Sequence, residues 1–352
     1  MFTQNKKRIC AALLALVLLL CLLSGCAVKG PAAQIEEIPS SEDEASALSV
    51  TPEPLSEGVV ADKTEIVDVI IEEEAIALAE SPAAVSSKVK VVTYGSLQKK
   101  NANAVIDYSN TAHGYVMVKY TAQTSQRLKA QIKGPTTKYT YNVTAGEWEV
   151  FPLSDGNGSY QITVYQNVTG TKYASVLSLT TNVTLQDEFE PFLYSNQYVD
   201  YEAAPKTVEM AEKLTKNIKD PLKKVEAVYN YVVKNVSYDK KLASTVKSGY
   251  LPELDKVLKT KKGICFDYAA LMTGMLRSQD IPCKLVVGYA GKAYHAWISV
   301  WSEENGWIDG VIWFDGTSWQ RMDPTFASSG KSSKSIMAYI GDGANYSAKY
   351  FY

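Results

Sequence analysis

The sequence predicts an α+β fold in which a β-sandwich-like module precedes a mixed domain, and in that second domain a cysteine-bearing helix packs on an antiparallel sheet. Three observations predict it. Short runs of period-two alternation recur from about Lys88 to Leu185. From Ala204 to Leu276 the apolar residues fall instead at helical spacing. After Cys283 the alternation returns.

The chain has 352 residues with 46% hydrophobic composition, enough for two modest cores. The 36 basic and 38 acidic residues leave a net charge of -2. That balance supplies no dense basic patch, so nucleic acid is not an expected partner. Only His113 and His295 are histidines and no cysteines stand at zinc-ligand spacing, so no metal and no cofactor are expected. Of the cysteines, Cys10, Cys21 and Cys26 fall in the N-terminal segment and leave Cys265 and Cys283 for the folded part. The bland expectation for two thiols in an exported protein is a Cys265–Cys283 disulfide; a nucleophilic Cys265 is the preferred reading.

Lys6, Lys7 and Arg8 precede an apolar run from Ile9 to Leu23, the charged and apolar regions of a secretory signal. The run is shorter than the roughly twenty residues a spanning helix needs. Leu23-Ser24-Gly25-Cys26 resembles the bacterial lipobox. That resemblance implies cleavage before Cys26, lipidation of its thiol, and a protein anchored to the outer face of a bacterial cell membrane. Residues 1–26 are then the signal peptide. Residues 27–87, acidic and rich in Pro, Ser and Glu, are expected to form a flexible tether. Within them, residues 64–80 hold enough isoleucine and valine for a short helix or strand, left open between the two.

Residues 88–186 form the β-module. Tyr115 to Tyr120 and Tyr160 to Tyr165 are its clearest strands, and Gly134-Pro135, Ala145-Gly146 and Asp155-Gly156-Asn157-Gly158 are its turns. Its tyrosines are read as strand residues rather than as a carbohydrate platform. His113 is read as a loop histidine.

Residues 187–352 form the second domain. Ala204 to Lys219 reads as a helix, and Asp220-Pro221 starts another, with Val225, Val228, Tyr229, Val232 and Val236 on one stripe. Leu254, Val257 and Leu258 suggest a third, short helix; Lys259 to Lys262 are read as its solvated end. Cys265, Ala269, Met272 and Leu276 share the inward face of a helix that starts near the cysteine. In that first turn, unpaired N–H groups and the helix dipole favour a thiolate. Lys284 to Tyr289 and Tyr294 to Trp301 read as strands, with His295, Trp297 and Ser299 on one face. Val311 to Phe314 and Trp319 to Asp323 read as a hairpin across Asp315-Gly316. The tail from Ser335 to Tyr352 is expected to add a last strand or packed segment.

Three segments in order, Gly263-Ile264-Cys265-Phe266-Asp267-Tyr268-Ala269, Tyr294-His295-Ala296-Trp297 and Met322-Asp323-Pro324-Thr325, resemble the bacterial transglutaminase-like superfamily, over about Lys206 to Phe326. The resemblance implies a papain-like core, with Cys265 as nucleophile, His295 as general base and acid, and Asp323 as the carboxylate behind the imidazole. The spacing from His295 to Asp323 is long for the family, which keeps Asp309 and Asp315 as competitors. A thioester acyl-enzyme follows from a cysteine and histidine in these roles. The Cys265 backbone N–H is the expected oxyanion donor, and Tyr238 and Tyr250 are candidates for a second. Water is the expected acyl acceptor, which gives hydrolysis of peptide, protein or cell-wall peptide amides. The alternatives are transfer of glutamine to an amine and a non-catalytic binding or scaffold module.

Overall fold

The computed structural model describes residues 35–38, 89–303, 306–309, 312–314, 319–321 and 345–352. The expected signal segment with Cys26, most of the expected tether, and both Asp315 and Asp323 lie outside the described residues.

The N-terminal part is a sandwich of two antiparallel sheets. Strands β1 (Ile35–Glu37), β5 (Leu128–Lys133), β6 (Lys138–Val143), β8 (Gly158–Thr169) and β9 (Lys172–Val183) form one sheet, in the order β1-β9-β8-β5-β6. Strands β2 (Gln98–Lys100), β3 (Ala104–Asp107), β4 (Tyr115–Tyr120) and β7 (Trp148–Pro152) form the other, in the order β2-β3-β4-β7. Alternation buries Ala104, Ile106, Val116 and Val118 from one sheet, and Ala130, Ile132, Tyr160, Ile162 and Val164 from the other. β4 departs from strict alternation because its second face is covered too: the Tyr194 ring lies 5.0 Å from that of Tyr115.

Two expectations are corrected. The stretch 27–87 is not a tether throughout, since Ile35, Glu36 and Glu37 pair with Ala174, Tyr173 and Lys172 on the edge of β9. Ile38, 2% exposed, packs with Tyr165 and Tyr173. An open strand edge offers unpaired N–H and C=O groups, and burying one isoleucine adds about 1.5–3 kcal/mol, which together hold a segment whose composition alone looks disordered. The second correction concerns the two cores. One contiguous apolar cluster runs from the sandwich into the following domain. Tyr141 on β6 lies 4.5 Å from Phe151 and 5.8 Å from Tyr198, and Tyr198 lies 5.4 Å from Phe266. Aromatic pairs of this kind contribute about 0.5–1.5 kcal/mol each beyond area, so they join the two parts.

The second part begins with α1 (Pro205–Thr215), shorter than expected; the Thr215 hydroxyl bonds back to the Ala211 carbonyl in its last turn. α2 (Pro221–Asn235) starts where the sequence says. Asp220 accepts from the N–H groups of Leu222 and Lys223, and Val225, Val228, Tyr229 and Val232 are buried. A two-residue strand β10 (Ser237–Tyr238) and a short helix α3 (Lys240–Thr245), capped by Asp239, follow. α4 (Leu254–Thr260) ends at Lys261, whose φ of 53° is left-handed. Then come β11 (Lys262–Gly263) and the central helix α5 (Cys265–Arg277), all of whose residues are buried.

α5 packs against β12 (Cys283–Ala290) and β13 (Ala293–Ser302). These strands belong to a sheet in the order β14-β13-β12-β17, with β14 (Gly306–Asp309) and β17 (Tyr346–Phe351) at its edges. β15 (Ile312–Phe314) and β16 (Trp319–Arg321) pair as the expected hairpin. The tail does supply a last strand, and its position is set by Arg277 at the end of α5. That guanidinium, fully buried, donates to the carbonyls of Cys283 (2.9 and 2.8 Å), Tyr194 (2.7 Å) and Tyr352 (2.7 Å).

Candidate active site

The start of α5 is built by residues on three elements. β10 and β11 pair in parallel, with Tyr238 opposite Gly263. Asp239 N–H donates to the Gly263 carbonyl at 2.9 Å, which holds the two segments together immediately ahead of Cys265. Asp267, in the first turn, reaches back so that its Oδ2 accepts the Ile264 N–H at 2.8 Å. Its Oδ1 accepts the Tyr250 hydroxyl at 2.7 Å. One otherwise unpaired amide of the helix start is thereby satisfied. A Cβ on Gly263 would come 2.5 Å from the Asp267 Cβ, so glycine lets the carboxylate fold back over the turn. Burial pushes the Asp267 carboxyl up to about 6. Its two hydrogen bonds oppose that rise, Asp239 adds to it, and Lys256 counters it.

Cys265 is the first residue of α5, free and 2% exposed. Cys283, the other thiol of the described part, is also free, so the pair does not form the bland disulfide. The Cys283 sulfur lies 3.6 Å from the Thr273 hydroxyl, and burial pushes its thiol up to about 11.

That Thr273–Cys283 contact sets the level of the helix against the strands. Counting back from Thr273 to Cys265 at about 1.5 Å per residue covers about 12 Å of helix. Counting on from Cys283 to Val287 at about 3.3 Å per residue covers about 13 Å of strand. Val287 registers with Ala296, and Gly288 with His295. By that count Cys265 is level with Val287 and its register partner Ala296, the chain neighbour of His295. His295 is 5% exposed, and its ring lies 6.3 Å from Trp297 and 6.5 Å from Tyr346. Alternation gives it the face of Trp297 and Ser299, as expected, while Ala296, Ile298 and Val300 share the apolar cluster of α5. Asp309, one of the competing carboxylates, registers with Ser299 at the sheet edge.

Among the expected tyrosines, Tyr250 is committed to Asp267, whereas Tyr238 lies where a Cys265 thiolate is the leading charge on its hydroxyl. Lys259 to Lys262 are solvated as expected. His113 is not merely a loop residue, since its Nδ1 lies 3.3 Å from the buried Glu190 carboxylate. The structural roles of Asp267 and Arg277 are not among the sequence expectations. An acidic residue three places after the N-cap was a visible capping signal. Arg277 resembles any basic residue ending a helix, and no local signal marks it as buried.

Residues 208–310 match the family model of the transglutaminase-like superfamily. This region is similar to the transglutaminase-like superfamily. YebA of Bacillus subtilis is 25% identical over 181 residues, covering 46% of this chain and 25% of that protein. The protein-glutamine gamma-glutamyltransferase of Pseudomonas aeruginosa is 32% identical over 68 residues, covering 15% of this chain and 10% of that protein. The chain thus spans a quarter or less of these curated relatives. A solved structure, the periplasmic domain of TgpA from Pseudomonas aeruginosa, is 19% identical with a TM-score of 0.29, over 65% of this chain and 72% of that one. The matched region contains Cys265 and His295 and ends ahead of Asp323.

Proposed function

We propose that the chain is a membrane-anchored, extracytoplasmic cysteine hydrolase that cleaves peptide or isopeptide amides through Cys265, His295 and Asp323. The observation that carries the reading is the free thiol at the head of the buried helix α5, inside the matched region that also holds His295 on the adjoining sheet. A helix N-terminus favours the thiolate, and an imidazole within reach takes the thiol proton. The sulfur then attacks the amide carbon and forms a C–S bond, while the carbonyl electron pair moves to oxygen. When the oxyanion collapses, the C–N bond breaks and the imidazolium gives its proton to the departing nitrogen. Water, deprotonated by His295, opens the thioester to a carboxylic acid and restores the thiol. Asp323 holds the imidazole tautomer and stabilises its positive charge. Lipidated Cys26 holds the protein at the membrane, close to surface-protein and cell-wall peptide substrates.

A second reading is transfer of a glutamine acyl group to an amine; the named activity of the Pseudomonas aeruginosa relative, matched over 68 residues, favours keeping it. One experiment separates the two. The full chain and its Cys265→Ser variant are incubated with a glutamine-containing peptide, with and without a primary amine, and products are weighed by mass spectrometry. Conversion of glutamine to glutamate, or peptide cleavage, that persists when the amine is present and disappears in the variant is the expected result. Predominant amine-linked product assigns transamidation, and turnover by the variant removes Cys265 from the mechanism.

A further inference from the structure

The acylation step creates an oxyanion, and a backbone N–H at the start of α5 supplies one donor to it. A water-excluded site with a single donor would leave much of that charge unbalanced. Two tyrosines stand in the segments that frame the helix start, and the structure separates their roles. Tyr250 has spent its hydroxyl on the Asp267 carboxylate at 2.7 Å. Tyr238 has not: among the described residues no hydrogen bond acts on its hydroxyl.

Its placement is fixed by backbone rather than by a flexible loop. Tyr238 sits opposite Gly263 in the parallel β10–β11 pair, two positions before the nucleophile. The pairing is closed on both sides, by Ser237 N–H to the Lys261 carbonyl and Asp239 N–H to the Gly263 carbonyl, each at 2.9 Å. Below it, Tyr268 donates to the Val236 carbonyl at 2.7 Å, which ties the β10 strand to the first turn of α5. The Tyr238 side chain packs against the core and the residue stays half-buried beside the helix start. Burial, and after it a Cys265 thiolate, push the pKa of that hydroxyl above the usual tyrosine value, so it stays a protonated donor at neutral pH.

We propose that Tyr238 is a catalytic residue whose hydroxyl donates a hydrogen bond to the oxyanion formed when the Cys265 sulfur adds to an acyl carbon. The proposal rests on the reading of Cys265 as nucleophile. As the S–C bond forms, the carbonyl π pair becomes the third lone pair of the oxygen; the phenol shares its proton with that oxygen without transferring it. When the C=O bond re-forms and the leaving group departs, the hydrogen bond is released and the phenol is unchanged.

The test uses p-nitrophenyl acetate as acyl donor and iodoacetamide as a control electrophile. Attack on the ester passes through an oxyanion, whereas alkylation by iodoacetamide displaces iodide and makes none. The full chain, Tyr238→Phe, Tyr250→Phe and Cys265→Ser are compared for the nitrophenolate burst and for the rate of Cys265 alkylation followed by peptide mass mapping. Removing an oxyanion donor costs about a hundredfold to a thousandfold in amide-cleaving enzymes, and an activated ester needs less help. Tyr238→Phe is therefore expected to slow the burst at least about tenfold and to leave Cys265 alkylation within about twofold. Two results overturn the proposal: an unchanged burst, or burst and alkylation falling together, which would assign the hydroxyl to the thiol or to folding. A burst that survives in Cys265→Ser, or no burst from a wild-type chain whose Cys265 alkylates, refutes the nucleophile reading itself. Tyr250→Phe, by contrast, is expected to alter both rates together by loosening Asp267.

Discussion

Replacing Asp267 by Asn tests how the helix start is held, and the expected effect changes sign with pH. Burial raises the Asp267 carboxyl from 3.8 to about 6. Because the folded-state value lies above the unfolded one, the associated stability is fully present below 3.8 and is lost as pH rises through about 6. A shift of roughly two pKa units corresponds to about 3 kcal/mol between the acid and neutral limits. Asparagine has no such titration. Its carboxamide oxygen can keep the Ile264 N–H while its NH2 donates to the Tyr250 oxygen, but the Tyr250 O–H then loses its acceptor; that costs about 1–2 kcal/mol at every pH. The variant is therefore expected to be about 1 kcal/mol less stable than the parent near pH 4 and about 1–2 kcal/mol more stable near pH 8, crossing near pH 5. Urea unfolding followed by tryptophan fluorescence over that range measures both curves. A stability difference that does not vary with pH would refute the assignment of a raised, buried carboxyl.

Further expectations concern the sheet behind the site. Arg277→Lys keeps the charge but cannot reproduce four hydrogen bonds to three carbonyls; unfolding should become easier by about 2–4 kcal/mol, and a loss below about 1 kcal/mol would contradict the clamp. Gly288→Ala places a Cβ against the Ser347 carbonyl and 2.9 Å from the Trp297 ring. Hydrogen exchange at Tyr346–Phe351 should then speed up while β13 stays protected, and unchanged protection of the tail strand would be the contrary finding.

Much of this architecture is legible in local sequence. Asp220-Pro221 marks the start of α2 because a cap and a proline act within one turn, and Tyr160 to Tyr165 reads as a strand from its alternation. What local patterns cannot carry is partnership at a distance. Ile35 to Ile38 look like linker because their stabilising contacts are on β8, β9 and the turn between them. The tyrosines of β6 look like ordinary strand residues, and only the approach of Tyr198 and Tyr352 makes them a joint between the two parts. In the site, Cys265 and His295 are visible from their motifs. The division of labour between Tyr238 and Tyr250 is not, because it depends on which hydroxyl reaches Asp267 across a loop.

The pairing of Cys265 with His295 is tested most directly by the pH dependence of Cys265 alkylation in the parent and in His295→Ala, with Cys283, pushed up to about 11, as internal reference. The account predicts that near pH 6 the parent alkylates at Cys265 at least about tenfold faster than the variant, that the two rates converge by about pH 10, and that Cys283 stays unlabelled across that range. Superimposable Cys265 profiles in the two proteins would contradict it.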